Sequence, residues 1–315
     1  MSYKVESSED VVTRHMKLLF WGATGTRKTE TVLRNFPDVL VIDAEGNTDQ
    51  CLGMEEIPTF QRVKAKDPRV IIEVLNDVAA GKIKNQGRPI QTVCIDSVSV
   101  IWSLASEVAS RLAEARAKKY NKAPEEATST GLDWVVAKRP LKAVQNMLGN
   151  LPIKYIIFIA RESDLYAEGA DMKKIGFKPD MIKGLDFDMN LVLRFVNDPG
   201  SKWHAEVVKV QGKLGKLFPI GKSIPVFPTP EFFEYCKNLK PEGGNDPSES
   251  DLSESIVGEE VNVKTLASLQ AYALTRGIEG PALASLLKTN GFTGYKAENH
   301  EAMRKVVDAN ANGHK

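Results

Sequence analysis

The first two-thirds of the chain alternates short apolar runs with longer stretches of helical spacing. The runs are Leu18–Trp21, Val39–Ile42, Gln91–Ser97 and Lys154–Ala160. Short apolar runs without alternation predict strands covered on both faces, as in a parallel sheet. Helix-compatible residues reach Asn35 before Phe36-Pro37 stops them. Residues 54–66 look irregular. Asp67–Ala80 predicts an amphipathic helix with Val70, Ile71, Val74, Leu75 and Val78 on one face, Asp67 as cap and Pro68 at its first position. Gly81–Pro89 reads as a basic, flexible connection. Helices follow over Ser103–Tyr120 and Leu132–Leu151, with Pro140 starting or kinking the second half of the latter. Residues 164–184 lack periodicity and read as a mobile loop. Asn190–Phe195 and His204–Val210 read as an antiparallel pair joined by a turn at Asp198-Pro199-Gly200. A last helix packs Phe232, Phe233 and Tyr235 back on the core.

This alternation predicts an α/β fold with a mainly parallel sheet flanked by helices. Its organisation reads as an arm over 1–14, a core over 15–239, a disordered linker over 240–260 and a small all-α module over 261–315. The linker stretch 241–260 holds seven acidic residues and no Lys or Arg. The module reads as three short helices, Val263–Thr275, Pro281–Thr289 and His300–Asp308.

The net charge of +1 over 315 residues does not announce a nucleic-acid binder. Three scattered cysteines, none in a C-x-x-C pair, argue against a disulfide framework and for a reducing compartment. No apolar run approaches membrane-spanning length and the N-terminus lacks an apolar signal core, so a cytoplasmic protein without membrane contact is expected.

The first strand runs into Gly22-Ala23-Thr24-Gly25-Thr26-Arg27-Lys28-Thr29-Glu30 and then a helix. Strand, glycine-containing turn, Lys-Thr and helix is the context of a phosphate-binding loop. Backbone N–H groups of residues 22–30 would point at an anion. Lys28 would reach the β- and γ-phosphates, and the Thr29 hydroxyl would ligate Mg²⁺. Arg27 stands where the pattern G-x-x-x-x-G-K-[ST] has glycine, so either the loop is reshaped or Arg27 has a role. The plain alternative is a Gly/Thr turn that binds nothing.

The second run ends in Asp43-Ala44-Glu45, at the strand end where open α/β sheets bind ligands. Glu45 is a candidate general base toward a γ-phosphate, or a turn cap. The third run ends in Asp96, a candidate for the Mg²⁺ shell, although an apolar run followed by Asp is common and alone could mean nothing. The fourth ends in Arg161, a candidate γ-phosphate sensor, or a surface residue paired with Glu162 or Asp164. The loop that follows interleaves Tyr166, Lys173, Lys174, Phe177, Lys178 and Lys183, a composition suited to a single-stranded nucleic-acid backbone and its stacked bases. A solvated surface loop is the alternative. Lys209 and Lys213 could reach a nucleotide on a neighbouring subunit, or protect a sheet edge.

Together these motifs resemble the RecA-type branch of P-loop ATPases over about residues 14–237. Val41–Glu45 resembles the strand carrying that family's catalytic glutamate. Thr92–Val98 resembles its Mg²⁺-side aspartate strand. Ile156–Arg161 is similar to the strand that ends in its sensing glutamine, and Val207–Lys209 to the segment whose lysines act in trans. The short arm makes the chain look like the core-only RecA-like proteins of bacteriophages, of the single-strand annealing class. The resemblance implies a RecA-like P-loop NTPase core using ATP and Mg²⁺, with Lys28, Glu45 and Arg161 catalytic. It implies single-stranded DNA as partner, DNA-stimulated hydrolysis and a homo-oligomer, ring or filament, with nucleotide at the subunit interface, in an infected bacterial cytoplasm. The rival expectation is a nucleotide-gated binding module that hydrolyses little and recruits a single-strand-binding or replication protein through its C-terminal region.

Overall fold

The computed structural model describes residues 15–120, 123, 126–167, 173–198, 203–239, 241, 269, 278, 280–292 and 297–312. The chain divides into two compact units, Met1–Gly244 and Asn245–Lys315.

The larger unit is built on a nine-stranded sheet. Its strands are β1 (Met16–Gly22), β2 (Val39–Asp43), β3 (Gln61–Lys64), β6 (Thr92–Asp96), β7 (Tyr155–Tyr166), β8 (Lys174–Asp180), β9 (Leu191–Val196), β10 (His204–Val210) and β11 (Ser223–Ile224). Two further short strands, β4 (Lys84–Asn85) and β5 (Arg88–Pro89), pair only with each other. The order is β11-β10-β9-β1-β7-β6-β2-β3, with β8 added to β7. From β9 to β3 all neighbours are parallel, while β8, β10 and β11 pair antiparallel.

The four apolar runs become β1, β2, β6 and the inner half of β7, and each is buried on both faces. One face presents Leu18, Phe20, Val41 and Ile157 to α1 (Lys28–Asn35) and α5 (Pro230–Cys236). The other presents Leu19, Leu40, Ile42, Ile95 and Phe158 to α2 (Pro68–Ala79), α3 (Val98–Lys119) and α4 (Gly131–Gly149). Burying each such side chain stabilises the fold by about 1.5–3 kcal/mol. The expected caps form on α2, where Asp67 accepts from the Arg69 amide at 2.9 Å and Pro68 opens the helix.

The structure departs from the expected elements in several places. Residues 61–64, expected to be irregular, form the edge strand β3. The helix expected from Ser103 begins at Val98, directly after β6, and α4 runs through Pro140. Much of the stretch expected as a loop over 164–184 is ordered ladder. Strand β7 continues past Ala160 to Tyr166 and pairs with β8 from Arg161↔Asp180 to Tyr166↔Lys174. Residues 1–14, the turn residues 199–202 and nearly all of the acidic linker lie outside the described residues.

In the C-terminal unit, α6 (Gly280–Thr289) and α7 (His300–Asn312) match two of the expected helices. Leu269, Ile278, Leu283, Leu287, Met303 and Val307 form a small apolar cluster. The remaining expected helix, Val263–Thr275, lies outside the described residues apart from Leu269.

Candidate functional site

The carboxyl ends of β1, β2 and β6 meet the middle of β7, where its apolar half ends, at one end of the parallel strands. The register sets Gly22 level with Arg161, and Asp43 level with Asp96. Strand-end residues remote in sequence therefore share one cleft, the usual ligand position of open α/β sheets.

Gly22 closes β1 with φ +149°, and a Cβ there would lie 2.2 Å from the Phe195 carbonyl oxygen on β9. Only glycine permits that approach. The chain then turns through Gly25 (φ +80°) and Arg27 into α1. Arg27 takes the left-handed conformation, φ 62° and ψ 24°, at the helix N-cap. The loop thus keeps the backbone that glycine would supply, and arginine bears the strain, about 1–2 kcal/mol.

Lys28 folds back over the loop. Its Nζ donates to the carbonyls of Gly22 (2.9 Å) and Ala23 (2.8 Å), while Thr26 Oγ1 also donates to Ala23 (2.8 Å). Burial lowers the Lys28 pKa, against the opposing pull of Asp96, Glu45 and Glu162. One residue on, Thr29 Oγ1 donates to Asp96 Oδ2 at 2.6 Å. Asp96 is almost fully buried. Desolvation, reinforced by the charges of Glu45 and Asp43, pushes its pKa up to about 6 against the Thr29 hydrogen bond. A half-buried hydroxyl beside a buried carboxylate, in excess negative potential, is a donor set that suits a divalent cation.

Glu45 stands on a turn organised by Asp43. The Asp43 carboxylate accepts from the amides of Glu45 (3.2 Å), Gly46 (2.6 Å) and Thr48 (3.2 Å), and from the Thr48 hydroxyl. Strand β3 braces the same turn. Arg62 donates to Thr48 Oγ1 (3.0 Å) and pairs with Asp49, and Lys64 reaches Asp49 at 2.8 Å. Both oxygens of Glu45 are engaged. Oε1 accepts from Ser97 Oγ and from Arg161 Nε (2.9 Å), and Oε2 accepts from Asn47 Nδ2 (2.8 Å). Desolvation raises the Glu45 pKa, but the bonds from Arg161, Ser97 and Asn47 outweigh it and hold the carboxyl below its ordinary range.

Arg161 therefore pairs with neither Glu162 nor Asp164; it crosses the cleft to Glu45. Its amide donates to Ser99 Oγ (2.8 Å), which donates to the Asp180 carbonyl (2.6 Å), so the start of α3 ties together the two strands of the β7–β8 hairpin. The phosphate loop, Glu45, Asp96 and Arg161 line one cavity of about 560 Å³, with Gln50, Cys51 and Met54 completing its wall. That volume is within the range of small-molecule sites.

The basic and aromatic candidates lie on or beside the hairpin. Tyr166 and Phe177 are exposed, Lys173, Lys178 and Lys183 reach solvent, and Lys174 pairs with Asp164 (2.7 Å) over the Phe177 ring (4.1 Å). Arg194 belongs to no motif. Its guanidinium sits between the rings of Trp21 (5.4 Å) and Phe177 (5.0 Å) and bonds Glu162 at 3.0 Å, linking the residue before Gly22 to the hairpin. Lys209 and Lys213 do not line the cavity. Lys209 donates to the carbonyls of Asp186 and Phe187 in its own chain, and Lys213 is exposed on the short helix Gly212–Lys216.

Among the described residues no cluster of three or more His, Cys, Asp or Glu could hold a metal unaided, and no helix is long and apolar enough to cross a membrane. A protein-family model described as an AAA domain matches residues 14–201, which include the phosphate loop, Glu45, Asp96 and Arg161. No curated protein matches the chain.

Proposed function

The chain belongs to this AAA-domain family of P-loop ATPases, and on that premise we propose that it binds and hydrolyses ATP with Mg²⁺ and couples the nucleotide to single-stranded DNA. The observation that carries the nucleotide reading is the Thr29–Asp96 pair at 2.6 Å beneath a loop whose Lys28 faces the same cavity as Glu45. Lys28 and the loop from Gly22 to Glu30 hold the phosphates. Thr29 and Asp96 hold Mg²⁺, which when bound neutralises phosphate charge. Glu45, ionised at neutral pH, orients water and accepts its proton. Arg161 stabilises charge on the transferred group.

The nucleic-acid part of the proposal is supported by the exposed Tyr166 and Phe177 and the lysines around them. It follows the resemblance to phage recombination proteins, which act as oligomers, and the C-terminal unit would recruit a replication or recombination partner. A second reading, a nucleotide-gated module with little turnover, is favoured by one observation: both oxygens of Glu45 are already engaged. ATP hydrolysis by wild type and Glu45→Gln, each with and without single-stranded DNA, separates the two. DNA-stimulated turnover lost in the variant supports the ATPase. ATP binding without turnover in either supports the gated module, and no ATP binding overturns both.

A further inference from the structure

A side chain other than glycine at φ near +60° costs free energy, and such strain persists where the surroundings or the function hold it. Within the phosphate loop Arg27 is that residue, with φ 62°. Its guanidinium gains little in return. Nε lies 3.8 Å from Glu30 Oε2 with the side chain 56% exposed, and Glu30 is engaged more closely by Arg34 at 2.7 Å. Lys28, by contrast, spends donors on the carbonyls of Gly22 and Ala23. Of the loop's two cations, Arg27 is the one whose fork remains open, and it lines the 560 Å³ cavity beside Thr26, Lys28 and Thr29.

We propose that Arg27 is a phosphate-binding residue of this site, its guanidinium gripping the nucleotide's phosphate chain from the mouth of the cavity. The inference rests on the ATP-binding reading above and deepens it. A guanidinium presents paired donors in a rigid fork that matches two phosphate oxygens, which an ammonium does not. The arrangement assigns a purpose to the departure from the glycine pattern. Its backbone does the work of glycine and its side chain adds a cation that glycine lacks.

Arg27→Gly tests this, because a merely tolerated arginine and a binding one give opposite results. The substitution relieves the strain and restores the pattern G-x-x-x-x-G-K-T. Mg·ATP affinity of the full chain is measured by calorimetry at two salt concentrations, beside thermal melting of the nucleotide-free protein. The expected result is a variant that melts at or above wild type, binds ATP roughly tenfold or more weakly, and loses part of the salt dependence. A variant that binds ATP as tightly as wild type overturns the inference and leaves the ATP reading standing. Wild type that binds no ATP overturns that reading and the inference with it.

Discussion

Arg161 Nε lies 2.9 Å from Glu45 Oε1, so the residues read separately from the sequence as sensor and base are bonded to each other. The bond holds the Glu45 carboxyl ionised and also lowers its basicity. A base in this state is a weaker proton acceptor than a free carboxylate, and its remaining acceptor site is on Oε2, which takes one donor against two on Oε1.

Arg161→Ala removes the strongest of those donors. The Glu45 pKa then rises toward the ordinary carboxylate range. Because the base works ionised, the acidic limb of the kcat/KM profile for ATP shifts to higher pH. A limb that stays in place separates Glu45 from the rate-limiting proton transfer.

Asp96 gives a stability prediction with a definite sign. Its folded pKa, about 6, lies above the ordinary value of 3.8. The folded state therefore binds the proton more tightly than the unfolded state, and stability falls as pH rises from about 4 to above 6. The penalty is on the order of 3 kcal/mol at neutral pH. Asp96→Asn removes it, so the nucleotide-free variant melts above wild type at pH 7 and level with it at pH 4. Melting curves in the presence of a chelator check both values.

Thr29→Ala deletes the hydroxyl beside Asp96. ATP affinity measured in chelator is expected to stay near wild type, whereas the gain on adding Mg²⁺ falls by about tenfold. Calorimetry with and without Mg²⁺ reads the difference. An unchanged gain would remove Thr29 from the cation's shell.

Gly22→Ala sets a methyl group 2.2 Å from the Phe195 carbonyl. Strands β1 and β9 must separate, at a cost of about 1–3 kcal/mol or more. A clear drop in melting temperature is expected, and an unchanged one would contradict the close packing of these strands.

Arg194→Ala empties the space between Trp21 and Phe177 and leaves Glu162 without its partner. Amide hydrogen exchange over residues 161–180 is expected to accelerate while β2 and β6 keep their protection. Uniform acceleration would mean that Arg194 supports the whole sheet.

The buried strands were legible because each is an unbroken apolar run, and the phosphate loop because strand, turn, Lys-Thr and helix occur in order. Glu45, Asp96 and Arg161 were legible as polar residues ending such runs. Strand β3 was hidden because Gln61-Arg62-Val63-Lys64 offers one apolar side chain and lies at a sheet edge. The start of α3 was hidden because only Asp96-Ser97 separates β6 from Val98-Ser99-Val100-Ile101-Trp102, a β-branched and aromatic stretch that reads as well for a strand as for a first helical turn, and the Ser97 side chain makes no cap. Strand β8 carries lysines, a glycine and a proline, so its pairing comes from β7 and not from its own pattern. Arg194 carries no motif; its role exists only once Trp21 and Phe177 are brought to either side of it.

Strand β7 runs without glycine or proline from Tyr155 to Tyr166. At roughly 3.3 Å per residue it is a rod about 36 Å long. Its first half is clamped between β1 and β6, and its second half is held by β8 alone among the strands. Arg161 sits where the two halves meet. The backbone that carries the hairpin is thus the same one that carries the guanidinium gripping Glu45, and the outer ladder and the catalytic pair share one continuous strand.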